Sequence, residues 1–432
     1  MNEISRQQSI AAIRPRLALI ATLVIAPAAL GQIFEHPGTE EARIDPAMAR
    51  KVELAREAAV LLPLTSFYEE SLPLGPGKPG ELIRAEPATD LHLSPGVTAV
   101  RILYRGESPA KTPVPVSGIV LIPPGKAPAQ GWPVIAWAHG TTGVARPCAP
   151  SLMKDLNYGW SELSSLVDMG YAVVATDYQG LGGPTLHPYL DKITNAEDVI
   201  HSVPAARSAV MSLGPRWVAM GHSQGGLVAA SVAELEHTHP SPGYLGAVSI
   251  AAAWDAEKVL SRMDAPGTDP LNNAYLALVG QGLKAIDPQF TLDKMLSDSA
   301  IQRLKEAGDH CVEAQMAFFF DLPRGSVIKK DWKQNPTVQA FFARDRLHGP
   351  IAGPMLVLAS TDDESVPAST VDDNILRLCA TGAKIEYVRY ADYGLDHDGI
   401  ERATTGMRLK WIGDRFAGLP ARSNCSAVAM VH

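Results

Sequence analysis

The sequence is poor in cysteine: among 432 residues there are four, Cys148, Cys311, Cys379 and Cys425, and no two stand in C-x-x-C spacing. That removes the usual sequence marks of a structural zinc site or a dithiol redox centre. Charge is thin as well, at 19% Asp, Glu, Lys and Arg with a formal net charge of −8 and no long run of either sign. Nothing in it resembles the basic footprint of a nucleic-acid binder. No uninterrupted apolar stretch reaches the roughly 20 residues that a spanning helix needs, and no internal repeat or low-complexity tract points to a solenoid or a linker. What remains is an ordinary hydrophobic fraction of 46%, enough for one large domain with insertions or for two or three small ones.

The first residues read as an export signal. Arg6, Arg14 and Arg16 precede the apolar run Leu17 to Leu30, which Pro27 interrupts and which small residues follow. A basic start, a short apolar centre and small residues at a cut site are the marks of a secretory leader. Cleavage is expected after Gly31, with Ala29 at the third position back, and after Ala28 as the alternative. The expected compartment is therefore secreted or periplasmic, where an even number of cysteines suits two disulfides. Four cysteines allow three pairings, and their count does not choose among them.

Residues 33–66 read as a polar start and a helix, and 71–82, "SLPLGPGKPGEL", as a Pro- and Gly-rich loop. Strands are expected at 97–105, 114–123, 133–140, 171–178, 216–222, 245–253, 353–360 and 384–392. The early ones alternate and suit antiparallel pairing. The later ones are continuous apolar runs, as in strands buried on both faces of a parallel sheet. Helical patterns lie between them at 160–170, 195–213 and 370–382, so the expected fold is a mostly parallel, doubly wound α/β sheet. Residues 254–350 break the rhythm with helices and no core strand. They are expected to form a helical cap or lid between two parts of the core, 32–253 and 351–432.

The most specific stretch is "WVAMGHSQGGLVAAS", 217–231. An apolar strand runs into Gly221-His222-Ser223-Gln224-Gly225 and straight on into a helix of small residues. G-x-S-x-G in that context is a nucleophile elbow, in which a strained turn lifts the serine above the sheet edge and the helix start offers amides to an oxyanion. A serine needs a base, and a base needs an orienting partner. His397 in "ADYGLDHDGI" follows a strand and precedes a helix, and is the best base. His237 and His239 end the elbow helix, and their H-x-H spacing lacks a third ligand, so no metal is expected. The acid is expected in "TDDESVP": Asp363, with Asp362 as the fallback. The second oxyanion amide is expected after the strand "VIAWA", from Thr141 or Thr142, with Gln224 supplying the other. His139 braces that loop.

With these residues in place, the chain resembles the secretory lipase family of α/β-hydrolases. The resemblance runs from about Leu72 to Cys425 and rests on the ordered set "WAHGTTGVARPCAPS", "YAVVATDYQGLG", "GHSQGG", "DDESVP" and "LDH". It implies an α/β-hydrolase fold and a triad of Ser223, Asp363 and His397. It also implies disulfides Cys148–Cys311 and Cys379–Cys425, and no cofactor. The family's lipase A enzymes carry an acidic residue in the oxyanion loop near the place of Thr141 and Thr142, where this chain departs from them.

The reading that follows is a secreted serine ester hydrolase, a lipase or carboxylesterase, acting on a small-molecule or lipid ester. Transient contact with a lipid interface is compatible with it, and no protein partner is implied. Tyr275, Leu276, Val279, Leu283 and Phe318 to Phe320 are candidates for an acyl-binding wall, against the plainer reading that they form the core of the cap. The competing functions are a serine peptidase or amidase on the same fold and a non-catalytic binding protein.

Overall fold

A computed structural model describes residues 45–428 apart from 158 and 267. The leader expected at 1–31 lies outside the described residues. Nine strands form one sheet: β1 (Leu82–Pro87), β2 (Thr98–Glu107), β3 (Pro113–Ile122), β4 (Trp132–Ala138), β5 (Ala172–Thr176), β6 (Leu213–His222), β7 (Tyr244–Ile250), β8 (Pro354–Ser360) and β9 (Lys384–Tyr390). Their order is β1-β2-β3-β5-β4-β6-β7-β8-β9. Pairing is antiparallel from β1 through β3 to β5 and parallel from β5 to β9.

The continuous apolar runs are explained by what lies on each face. Successive side chains of a strand point to opposite faces, and here Val134, Ala136 and Ala138 join one core while Ile135 and Trp137 join another. The same division holds in β6, with Trp217 and Ala219 against Val218 and Met220, and in β8, with Met355 and Val357 against Leu356 and Leu358. Each such fully buried aliphatic side chain contributes about 1.5–3 kcal/mol. α1 (Pro46–Val60) precedes the sheet. α2 (Trp160–Asp168) contributes Leu163, Leu166 and Val167 to the second core. α3 (Lys192–Ala209) and α4 (Gln224–Thr238) pack on the first through Val199, Val203, Leu227 and Val228.

Between β7 and β8 stand α5 (Ala256–Met263), α6 (Asn272–Ile286), α7 (Asp298–Ala307), α8 (Val312–Phe319) and α9 (Pro336–Asp345). The apolar faces of these helices are continuous with the first core. After β8 come α10 (Ser369–Ala380), then β9, α11 (Gly399–Ala403), α12 (Thr405–Phe416) and α13 (Cys425–Val428). α12 closes the second core with Trp411 and Ile412. Among the described residues no helix is long and apolar enough to cross a membrane.

Both cysteine pairs are bridged, Cys148 to Cys311 and Cys379 to Cys425, the pairing that the family resemblance implies. The first bridge spans 163 residues and joins the segment after β4 to the start of α8. One strand has no counterpart among the strands expected from sequence. β1, "LIRAEP", is a half-exposed edge strand ending in proline, so it shows neither a continuous apolar run nor a clean alternation.

The order of strands positions the site. β5 lies on one side of β4 and β6 on the other, so the chain leaves β4 in opposite directions. Such a reversal opens a crevice at the carboxyl ends of the parallel strands. Thr141, Ser223, Asp363 and His397 lie in the segments that follow β4, β6, β8 and β9, and so all stand at that one edge.

Candidate active site

Ser223 stands between the last residue of β6 and the first of α4 with φ 58° and ψ −119°. A non-glycine residue held in such backbone geometry carries about 1–3 kcal/mol of strain, which the surroundings must hold in place. Here they do: the Ser223 amide donates to the carbonyl of Ile250 at 2.9 Å, fixing the turn to β7. The two flanking glycines are required by space. A Cβ at Gly221 would lie 2.2 Å from the carbonyl oxygen of Gly225, and one at Gly225 only 1.9 Å from that of Ala138.

The Ser223 hydroxyl lies 2.8 Å from Nε2 of His397, and Nδ1 of His397 lies 2.7 Å from Oδ2 of Asp363. Asp363 is buried, and its Oδ1 accepts the amides of Ser365 at 2.9 Å and Val366 at 2.7 Å. Burial works against its charge, but His397 and those two amides outweigh it and hold its carboxyl below the usual range. In His397 burial likewise opposes protonation, yet the Asp363 charge and its hydrogen bond push the imidazole up to about 9. Asp362, the fallback acid, is occupied elsewhere: its Oδ2 accepts the amide of Gly394 at 2.8 Å and ties the β8 loop to the β9 loop.

At this geometry the comparison with known proteins becomes informative. The sequence model of the secretory lipase family matches residues 156–424. The chain belongs to that family. A probable inactive lipase of Mycobacterium tuberculosis is 25% identical over 397 residues, 85% of each chain. Among solved structures, lipase A of Candida antarctica superposes with a TM-score of 0.70 at 16% identity, covering 84% of this chain and 89% of that one. The rice cell wall degrading esterase LipA of Xanthomonas oryzae gives 0.64 at 19% identity, covering 78% and 100%. At such identities the two structures speak for the fold alone, an α/β-hydrolase fold with a mixed, mostly parallel sheet.

Around the serine, this member of the secretory lipases has a small pocket. Its floor is Ser223, His397, Gln224 and Thr141, and its walls include Val259, Leu260 and Met263 of α5 and Tyr275 and Val279 of α6. Of the two candidate threonines, Thr141 faces the pocket and its hydroxyl shares a 2.7 Å hydrogen bond with the Tyr189 hydroxyl. Thr142 is turned inward, and its carbonyl accepts the amide of Val312 at 3.0 Å. Gln224 opens α4, where the first amides of a helix have no partner within it. Its side chain donates to Asn195 Oδ1 at 3.1 Å, which anchors the residue from below.

The expected acyl wall is corrected in part. Tyr275 and Val279 line the pocket, but Phe318 and Phe319 do not. Phe319 is fully buried in the core, and Phe318 stacks on His310 at 5.8 Å with the Arg50 guanidinium 5.5 Å above its ring. The reason is helical geometry: α8 packs between α1, α6 and α7, so its aromatic residues fill those seams. His139 is buried, packs at a tilt against Tyr178 with ring centroids 4.3 Å apart and is pushed down to about 4 by burial, so it is a neutral packing group beside the loop that follows β4. Among the described residues no group of three His, Cys, Asp or Glu side chains is placed to hold a metal ion.

Sequence reasoning missed three neighbours of the site. Tyr189 and Asn195 lie in and just after the β5–α3 connection, with no local signal to mark them. His222 occupies the wildcard position of the elbow motif, yet its ring lies 4.7 Å from that of His397.

Proposed function

We propose that this protein is a secreted serine ester hydrolase that works through Ser223, His397 and Asp363. The observation that carries the reading is the unbroken hydrogen-bonded path from the Ser223 hydroxyl through both ring nitrogens of His397 to Asp363. In the first half-reaction Ser223 Oγ attacks the ester carbonyl carbon and its proton passes to His397 Nε2. Asp363 holds the Nδ1 hydrogen and stabilises the imidazolium. The amides of Gln224 and Thr141 receive the oxyanion. Collapse of the tetrahedral species expels the alcohol, which takes the proton from Nε2. In the second half-reaction a water molecule gives its proton to Nε2 and attacks the acyl carbonyl carbon; the tetrahedral species then collapses, Ser223 Oγ leaves and takes the proton back from Nε2, and the acid is released.

The pocket's walls are apolar and its polar groups converge at the serine, which suits an uncharged acyl group. The side chains of α5 and α6 leave little free space beside Ser223, which favours short or medium acyl chains over long ones. Family membership and two disulfides support an oxidising, extracellular or periplasmic setting, as does the expected leader.

A non-catalytic role is the reading to weigh against it, because the Mycobacterium tuberculosis relative is named a probable inactive lipase. Hydrolysis of p-nitrophenyl esters from acetate to palmitate, with Ser223→Ala alongside, separates the two. The enzyme reading expects turnover that falls about 10⁶-fold in the variant, with an optimum at short or medium chains. Equal, negligible rates in both proteins would sink it and leave the binding reading or, if an amide panel is cleaved, the peptidase reading.

A further inference from the structure

His222 is the last residue of β6, and its backbone is registered against Ile250 of β7 within the sheet. Strand alternation places its side chain on the same face as Val218 and Met220, the face on which Ile400 of α11 packs. The segment carrying His397 runs into that helix. The ring of His222 is buried, and its Nε2 lies 2.9 Å from the backbone carbonyl oxygen of His397. A carbonyl only accepts, so Nε2 carries the hydrogen and donates it. Burial, followed by the neighbouring His397, pushes the His222 imidazole down to about 4, so at neutral pH it makes this bond without adding a positive charge beside the base.

The contact matters because the backbone ties of this loop to the β8 loop, the Gly394 amide on Asp362 and the Asp392 amide on Thr361, lie upstream of the base. Residues 391–394, 396 and 398 are exposed. We infer that His222 is a positioning residue for the base: its Nε2–H, donated to the His397 carbonyl, ties the base's backbone to the strand that carries the nucleophile. The residue beside Ser223 in sequence thus sets the distance across which Ser223 and His397 share a proton. The inference rests on the catalytic reading proposed above.

The test uses the full chain with His222→Phe, which keeps an aromatic ring but has no donor, and His222→Gln, whose side-chain amide can place an N–H near the position of Nε2. Turnover of p-nitrophenyl butyrate and the low-field proton resonance of the His397–Asp363 hydrogen bond are read together. His222→Phe is expected to lower kcat about tenfold, as loss of one positioning hydrogen bond allows, with KM within about twofold and a broadened low-field signal. His222→Gln is expected to restore both. Wild-type kcat in His222→Phe, or equal impairment in the two variants, overturns the inference, the latter because ring packing would then be the cause. Should the wild-type protein turn nothing over, the catalytic reading fails separately, and the low-field signal still decides the positioning role. Should His222→Phe not fold, the tautomer of His222 in the wild-type protein decides: a hydrogen on Nε2 supports the bond, and one on Nδ1 alone removes it.

Discussion

The carboxyl edge of the sheet and the helical insertion between β7 and β8 build the two halves of one pocket by different means. At the sheet edge the reacting groups are held by backbone: Ser223 by the carbonyl of Ile250 and Asp363 by two amides of its own loop. The insertion meets the core mainly through apolar packing, reinforced by the Cys148–Cys311 bridge and by Arg344, which grips the buried carboxylate of Asp191 at 2.7 and 3.0 Å. On the proposed function, the reacting groups thus sit on the sheet edge and the insertion gives the pocket its shape. Substitutions at the edge are expected to change rate, whereas those in the insertion change stability or chain-length preference.

The largest effect that sharpens this contrast is at the edge. Asp363→Asn is expected to lower kcat about 10⁴-fold, by analogy with loss of the orienting carboxylate in other triads. It also carries a pH signature. The base works only when neutral, and Asp363 favours the charged form of His397, holding it up to about 9. Wild-type kcat/KM should therefore rise with pH and level off above about 9, and the variant's rising limb should move to lower pH. A pH–rate profile on both proteins checks the sign.

Next is the tether. A bridge over 163 residues contributes up to about 5 kcal/mol in the chain-entropy picture. Replacing Cys148 and Cys311 by serine should lower the denaturant midpoint strongly and let the insertion side open before the sheet, as hydrogen exchange resolved by segment would show. Uniform loss of protection across both regions would erase the contrast. Within the insertion, Phe319→Ala should cost about 3–5 kcal/mol of stability as a core truncation while leaving the chain-length optimum unchanged. Val279→Phe, at a buried position that also lines the pocket, should instead shorten that optimum, at a cost of about 1–3 kcal/mol of stability. The smallest effect is expected at Thr142, whose buried Oγ1 has no hydrogen-bond partner among the described residues. Thr142→Val should change kcat and unfolding free energy by less than about 1 kcal/mol.

The eight strands legible in the sequence, and the elbow between β6 and α4, share a physical cause. Strands buried on both faces must be apolar throughout, and the tight turn at Ser223 admits only glycine on either side, so both write themselves into local sequence. β1 does not, because an edge strand exposed on one side can carry Arg84 and Glu86. Adjacent aspartates are equally plausible on paper. Asp363 meets His397 and Asp362 meets Gly394 only because two loops, from β8 and β9, come together in space.

By itself, then, the sequence determined the class of sheet, the elbow that carries Ser223 and the chain order in which the acid and the histidine follow it, since these follow from burial, turn sterics and residue type. Tertiary structure decided which threonine faces the pocket, which aromatics leave it for the helix seams, and that His222 reaches the base. Those are outcomes of packing between segments far apart in the chain, where many side chains compete for the same space and no local pattern records which one fills it.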